Sequence, residues 1–542
     1  MPAESIHEHR NRTKTNPDTA MIPVLTTAQM RSIDEKAIGG DAAAGYSYML
    51  TAGAGLLDAI TEAVADPGGE EIAIVCGKGN NGGDGYVLGR LLLDKGYKPM
   101  CFGLCDGEEL RGEARTAYDE YVEKGGNFLH VDDVEDLKGF EEYALVVDAM
   151  LGTGMAGNPR GIAAEIIATI NRSGRPVIAV DTPSGVNNDT GQPGNPAVAA
   201  AVTVTMGFPK LGQFFYPGRA FVGKLRLKEL GYPEEIVREN GSGIYVPTKT
   251  DLARLVPPRR PDGSKFAHGL AFMLCGSRGM TGSATLAARA ALRAGCGMVH
   301  LAAPSSAVPV LATKLTETVL HAIEETEEGT PSGDALHQTV DMAAAMQAAL
   351  VGPGISHHPE TSGLVRNFVS RTGTTVVLDA DGTNAYKNRA GDLKDRTCEL
   401  IMTPHEGEWQ RLFGPLPPDP AERLDALSRT AAEFRMTIVY KGNPTLVVVP
   451  NGNSYIVALG NSGLASAGSG DVLAGMIASF AAQGCGAGSA ALLGAAVHGL
   501  AGAVAAAELG EHSVIAGDIV ERIHVVLKQL TAPAAPIFFP DS

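Results

Sequence analysis

The chain has 542 residues, of which 44% are hydrophobic, 19% charged and 67 glycine, with a formal charge of −17. The length excludes one ordinary domain and points to two large or three smaller ones, and the composition excludes a fibrous or wholly disordered chain. The acidic balance, without a dense Lys/Arg run, excludes a nucleic-acid-binding surface but leaves room for small anions held by backbone amides.

Residues 1–21 are polar and lack the apolar core of a secretory signal; they are expected to form a disordered tail, with Met21 as an alternative start. The seven cysteines (76, 101, 105, 275, 296, 398 and 485) are scattered and show no zinc spacing. Free buried thiols and a cytoplasmic location are expected. The longest apolar run, 487–507, is Ala/Gly-rich and interrupted by His498, so it reads as a buried helix and no membrane partner is expected.

Thr26-Thr27 predicts a helix start running to Ile38, and Tyr48–Ala65 a second helix. Glu71–Cys76 reads as a buried strand entering Gly77–Gly85, followed by a helix over Tyr86–Lys95. Strand, glycine-rich loop and helix open a phosphate-binding unit, although the spacing matches neither the dinucleotide fingerprint nor the P-loop. Lys98–Leu104 is the next strand and Glu108–Lys124 a helix. Ala144–Asp148 and Pro176–Val180 are strands leading into Met150–Asn158 and Asp181-Thr-Pro-Ser-Gly185. Any one acid among Asp84, Asp148 and Asp181 reads as a solvated cap or turn residue. Three strands each ending in a polar, glycine-containing loop place them together at the carboxyl edge, where open α/β sheets bind ligands.

Val202–Met206 and Phe221–Leu227 read as closing strands, and the Pro, Gly and charge of 232–260 mark a boundary near Gly243. The strand–loop–helix pattern then restarts. Strands are predicted at Leu270–Cys275, Met298–Ala302, Ala349–Val351, Thr375–Leu378, Leu400–Met402 and Thr437–Tyr440, with a hairpin at Leu446–Val457 turning on Asn451-Gly452. Last come Asn461–Asp471, a run of small residues ending Gly468-Ser-Gly-Asp471, and three helices to Leu530. Free amides at such a helix mouth make an anion site. A carboxylate there repels phosphate, so Asp471 suits handling of a proton or hydroxyl on the group the phosphate must meet.

From about residue 22 to 530 the chain resembles the bifunctional NAD(P)H-hydrate repair enzymes. In the first half the resemblance rests on Asn80-Asn-Gly-Gly-Asp84, Asp148 with Gly152-Thr-Gly154, and Asp181-Thr-Pro-Ser-Gly185. In the second it rests on Gly276–Gly282, Gly352-Pro-Gly354, Asp379-Ala-Asp381, Thr403-Pro-His405, Lys441-Gly-Asn-Pro-Thr445 and Gly468–Asp471. The resemblance implies an α/β architecture: a Rossmann-like three-layer epimerase domain over 22–242 and a ribokinase-like α/β/α dehydratase domain over 243–535. The substrates implied are hydrated NADH and NADPH together with ADP or ATP, ADP being the choice of fused members. K⁺ and Mg²⁺ are the implied ions and a homo-oligomer the implied state.

Carried over residue by residue, Asn80, Asn81, Gly82, Gly83 and Asp84 would wrap the hydrated dinucleotide with Gly152, Thr153, Gly154, Met155, Ala156, Gly157 and Asn158. Asn81, Asp148 and Ser184 would hold K⁺. Asp181 would do acid–base work on the nicotinamide ring, with Lys210 as its partner. In the dehydratase, Ser283, Gly354, His405 and Asp471 would touch the hydrated dinucleotide. Lys441, Gly442, Asn443, Pro444, Thr445 and Gly470 would hold the adenine nucleotide. Asp379, Asp381, Glu406 and Glu408 are open alternatives for Mg²⁺. The chain departs from the family at Glu406, where Pro is usual, at Ser283, often Ala, and at Ala467 and Ser469, in a run where Thr is common.

The implied chemistry suits these residues. A hydroxyl at C6 of the ring leaves poorly, and phosphorylation followed by elimination removes it. Asp471 at a helix N-terminus is expected to have a lowered pKa and to act by orientation. The competing readings are a vitamin-type kinase of the ribokinase superfamily, and a first half that only binds dinucleotide or a protein.

Overall fold

The apolar runs without alternation become inner strands of two sheets covered by helices on both faces, as parallel sheets require. The computed structural model describes residues 21–532 except 67, 70, 138 and 153–156. The expected tail before Met21, the end of the second domain at 533–535, and Thr153, Gly154, Met155 and Ala156 therefore lie outside the described residues.

The strands are β1 (Ile22–Pro23), β2 (Glu71–Cys76), β3 (Lys98–Gly103), β4 (Asn127–His130), β5 (Leu145–Ala149), β6 (Val177–Val180), β7 (Val202–Met206), β8 (Lys224–Lys228) and β9 (Ile244–Val246). They continue with β10 (Leu270–Leu274), β11 (Met298–Pro304), β12 (Val319–Ile323), β13 (Ala348–Val351), β14 (Thr375–Leu378), β15 (Leu400–Met402), β16 (Thr437–Tyr440), β17 (Thr445–Val448) and β18 (Ser454–Val457). The first sheet runs β4-β3-β2-β5-β6-β7-β8, parallel throughout. The second runs β1-β9-β18-β17-β16-β15-β14-β13-β10-β11-β12, parallel from β16 to β12. The hairpin β17–β18 turns at Asn451-Gly452.

Several local expectations change: the second helix begins at Ala42 rather than Tyr48, and the helix expected from Glu108 begins at Gly112. The segment taken as a loop before Tyr86 is already helical, because the helix starts at Asn80 and runs to Asp94. Its glycines permit this: a Cβ on Gly82 would lie 1.8 Å from the Gly77 carbonyl oxygen, so the first turn can pack onto the strand end only without one. Likewise the helix expected from Ala284 begins at Thr281. Phe221 and Val222 end a short helix, Arg219–Val222, and β8 starts after them.

The two halves are joined by backbone. β1 pairs antiparallel with β9 at the edge of the second sheet, and the following residues return to the first half through an isolated parallel bridge, Leu25 with Lys210. Leu211, Phe214 and Phe215 sit in the same apolar cluster as Val246, Leu446 and Ile456. The long apolar helix, Ala487–Leu509, packs between the helices Ser469–Ala482 and Ala516–Thr531 and against β16–β18, so its hydrophobicity belongs to the core. The seven cysteines are free, and all but Cys485 are buried.

Candidate active sites

In the first sheet the carboxyl ends of β2, β5, β6 and β7 are neighbours. Asp148 on β5 is fully buried. Its carboxylate accepts from the Ser184 hydroxyl at 2.6 Å, the Ser184 amide at 2.7 Å and the Met150 amide at 3.3 Å. Burial raises its pKa to about 6 against the lowering effect of those hydrogen bonds. Among the described residues no cation pairs with it. Asn81 is buried beside Gly152, and its side-chain nitrogen has no partner among the described residues. The three expected K⁺ ligands thus share the edge, Asp148 and Ser184 in direct contact.

Asp181 follows β6 with φ +64°, a left-handed conformation that costs a non-glycine residue energy. The conformation turns its carboxylate back under β7. There it accepts from the Met206 amide at 3.0 Å, from the Thr205 hydroxyl at 3.3 Å and from Lys210. Lys210 is 1% exposed and also donates to the Thr205 hydroxyl at 3.2 Å and the Met206 carbonyl at 3.1 Å. Gln213 fixes the backbone, donating to the Asp181 carbonyl at 2.8 Å. Asp84 lies one helical turn past Asn80. Burial, then the charges of Asp181 and Asp34, push its carboxyl well above the usual range. Asn158 accepts from the Asn195 amide at 3.1 Å, which ties down the loop's far end.

In the second sheet the ends of β16, β15, β14, β13 and β10 line up. Asp379, 1% exposed, accepts from the Thr403 hydroxyl at 2.6 Å and from Lys441 at 2.8 Å. Glu408 is buried 3.6 Å from the same ammonium. Burial works against the charge on Lys441, but Asp379 and Glu408 outweigh it and its pKa lies above the usual lysine value.

Gly468, at φ +87°, turns the chain into the helix Ser469–Ala482, and a Cβ on Gly470 would stand 3.5 Å from the Lys441 ammonium. Asp471 sits in that first turn, where the Ser283 hydroxyl favours its ionised form. Its pKa is raised to about 6, by burial first and Asp379 second. This overturns the expected lowering by the helix terminus: desolvation and a neighbouring carboxylate outweigh the dipole. Gly354, at φ +67°, touches Ser283, since a Cβ there would lie 3.0 Å from the serine's.

His405 caps the helix Glu406–Phe413, its Nδ1 accepting from the Gly407 amide at 2.9 Å. Its exposed ring rules out a core histidine. Glu406 is exposed, and Asp381 accepts from the Ser356 amide at 2.9 Å. Gly442, Asn443, Pro444 and Thr445 continue directly from Lys441 into β17. The Ser466 hydroxyl is buried in the preceding loop with no partner among the described residues.

Sequence reasoning missed Asp34, which accepts from the Tyr232 hydroxyl, and His498, 3.0 Å from the Ser469 hydroxyl. Neither stands in a glycine-rich strand end, the signal that marked the other residues.

An acid–lysine couple at the ligand-binding edge of a parallel sheet, present twice in one chain, defines a two-site α/β enzyme. A family model described as NAD(P)H-hydrate dehydratase matches residues 271–524, and one described as YjeF-related protein N-terminus matches 45–212. The bifunctional NAD(P)H-hydrate repair enzyme of Moorella thermoacetica is 37% identical over 513 residues, 94% of this chain and 97% of that protein. That of Thermofilum pendens is 36% identical over 84% of this chain and 87% of its own length. A crystal structure of the ADP/ATP-dependent NAD(P)H-hydrate dehydratase from Bacillus subtilis, co-crystallized with ATP/Mg²⁺, aligns with a TM-score of 0.44 at 25% identity, covering 52% of this chain and 97% of that one.

The chain belongs to the bifunctional NAD(P)H-hydrate repair enzymes. It is an epimerase and a nucleotide-binding dehydratase in one polypeptide, an isomerase joined to a lyase. The vitamin-kinase and binding-module readings are set aside by relatives matched almost from end to end.

Proposed function

We propose that Asp181 with Lys210 performs epimerisation at C6 of the hydrated nicotinamide ring, and that Asp471 faces the C6 hydroxyl during dehydration. The observation that carries this is the pairing of a buried acid with a lysine at each sheet edge, Lys210 buried and Lys441 half-buried. Lys210 fixes the Asp181 carboxyl in place at the ring, where it can answer positive charge developing there. In the second half the amides around Gly468–Gly470 and the Lys441 ammonium form a positive cradle for the transferring phosphoryl group. Asp471 accepts the proton of the attacking hydroxyl, and phosphate then leaves from C6.

Potassium fits the first site. A fully buried carboxylate without a cationic neighbour among the described residues, a buried hydroxyl and an amide make a hard oxygen donor set, once the Asn81 amide is turned over. Mg²⁺ would enter on the nucleotide phosphates, with Asp379 and Glu408 the buried carboxylates beside Lys441 that could hold it. It would neutralise charge on the phosphates. ADP is the proposed phosphoryl donor, the cytoplasm the location and a homo-oligomer the working form. The epimerase and dehydratase domains are assigned to 22–242 and 243–535.

The test is to supply the full chain with mixed R and S NADPH hydrates, K⁺, Mg²⁺ and either ADP or ATP, and to follow NADPH by absorbance. Both epimers are consumed with one of the nucleotides. The reading fails if neither is consumed with either. Asp471→Ala abolishes NADPH recovery yet still interconverts the epimers, whereas Asp181→Ala consumes only the S form. Loss of both activities in either variant overturns two independent sites.

A further inference from the structure

Exchange of the C6 configuration needs two proton transfers in opposite senses, and the Asp181–Lys210 couple supplies only one carboxyl. The helix Thr27–Ile38 is docked on the segment that carries Lys210. The Leu25 amide donates to the Pro209 carbonyl at 3.0 Å, the Leu211 amide to the Leu25 carbonyl at 3.1 Å and the Thr27 amide to Asp189 at 2.6 Å. Leu25, Met30 and Ile33 pack with Phe208, Tyr232 and Ile236.

Asp34, next along that helix, accepts a hydrogen bond from the Tyr232 hydroxyl. The Tyr232 ring is held from three sides. It stacks on Phe208 at 6.1 Å, lies 4.9 Å from Tyr48, and passes so close to Gly207 that a Cβ there would be 2.6 Å from it. Burial pushes Asp34 above the usual carboxylate range despite that hydrogen bond, and the charges of Lys210 and Asp181 both act on it. Residues 34 and 232 both lie outside the stretch 45–212 that the first family model matches.

We propose that Asp34, oriented by Tyr232, is the second proton-transfer group of the epimerase. The inference rests on Asp181–Lys210 being the epimerase centre. In one direction the protonated Asp34 gives its proton to the C6 oxygen. The C–O bond breaks, its electron pair leaves with the oxygen as water, and the lone pair of the ring nitrogen closes a C6=N bond. Water adds to C6 from the other face, forming the new C–O bond and giving a proton to the Asp181 carboxylate, while the electrons of the C6=N bond return to nitrogen. Asp34 is then ionised and Asp181 protonated, the starting state for the reverse turn; exchange with solvent water resets the pair. Tyr232 is a positioning residue for Asp34.

The test uses the full chain and pure R or S NADPH hydrate without nucleotide, in ¹⁸O-labelled water, with uncatalysed epimerisation subtracted. The wild type places one ¹⁸O at C6 of each molecule epimerised. Asp34→Asn lowers the epimerase kcat at least ~100-fold with KM within about threefold, Asp34→Glu recovers part of it, and Tyr232→Phe loses about tenfold in kcat at unchanged KM. A merely structural role for Asp34 would move KM and would not be relieved by Glu. Dehydration of the S form by the same preparations reports that the chain is folded; should Asp34→Asn not fold, Asp34→Glu and Tyr232→Phe decide. Epimerisation within threefold of wild type in Asp34→Asn, or an unlabelled product, overturns the proposal. Asp181→Asn separates it from the reading beneath it. If that variant epimerises normally, the Asp181–Lys210 reading fails; if it is dead while Asp34→Asn is active, only the role of Asp34 fails.

Discussion

Lys441 reaches from the end of β16 past β15 to Asp379 at the end of β14, closing a 2.8 Å ion pair across three strands. Glu408 stands on its other side at 3.6 Å, so the one ammonium answers two buried carboxylates. Replacing Lys441 by Met leaves both acids uncompensated. Removing one partner of a buried pair costs about 3–5 kcal/mol. Lys441→Met is expected to lower the unfolding transition of the second half and to abolish NADPH recovery, while R and S hydrates still interconvert. Calorimetry and an epimerisation assay on one preparation check both. A second half that melts as wild type would mean that the two acids are neutralised some other way.

Asp471 gives a pH dependence. Its carboxyl titrates at about 6, raised by burial and by Asp379. The ionised form needed to take a hydroxyl proton is therefore fully present above that value and lost as pH falls through it. The dehydratase kcat should drop on an acid limb near pH 6. The same shift has a cost: with a folded pKa above the unfolded one, the charged group destabilises the fold above pH 6, by up to about 3 kcal/mol. Asp471→Asn should then be inactive yet melt a few degrees higher at pH 7.5, with the difference shrinking toward pH 5. A variant less stable than wild type at pH 7.5 would contradict this account.

Gly82 tests the first loop. Its missing Cβ would fall 1.8 Å from the backbone oxygen of Gly77, an atom that cannot swing aside. Gly82→Ala must shift the start of the helix Asn80–Asp94 away from β2. A loss of epimerase activity is expected, together with a drop in stability at the upper end for single substitutions, above about 3 kcal/mol. Gly79→Ala, where a Cβ meets nothing, is the matched control. Equal behaviour of the two would remove close packing as the reason for glycine here.

These residues also mark what could be read from the chain. Asp148, Asp181, Asp379 and Lys441 end apolar strands, and a strand followed by a small-residue turn is a local pattern that needs no tertiary information. Lys210 was legible as a candidate; its contact with Asp181 depends on β7 lying beside β6. The helical start at Asn80 was not legible, because five glycines in the nine residues 77–85 read as a loop unless the packing that excludes their side chains is known. β4 and β12 escaped notice for another reason: both are edge strands with partly exposed, polar-containing faces. Asp34 was hidden by an ordinary amphipathic helix, in which an acid reads as a solvated residue. The raised pKa of Asp471 follows from its burial first and then from Asp379, which lies 92 residues away in the chain, and neither is visible locally.

Asp148 supplies the last prediction. A carboxylate with no exposed surface and no cation beside it among the described residues is costly to keep charged, and a bound potassium ion would remove that cost. An ion that binds only the folded chain stabilises it by mass action. The melting temperature of the first half should therefore rise with K⁺ at neutral pH and constant ionic strength, with choline as the balancing cation. Asp148→Asn removes both the charge and a ligand, so its melting temperature should not respond to K⁺, and in choline alone it should equal or exceed that of the wild type. Ser184→Ala keeps the carboxylate but removes the one hydroxyl that is both its donor at 2.6 Å and a proposed ligand; it should melt lower in choline and respond to K⁺ only weakly. The readout is the difference between salts within each variant, which separates ion binding from any general loss of stability. A wild-type chain whose melting is indifferent to K⁺, or an Asp148→Asn chain that still responds as the wild type does, would place the ion elsewhere.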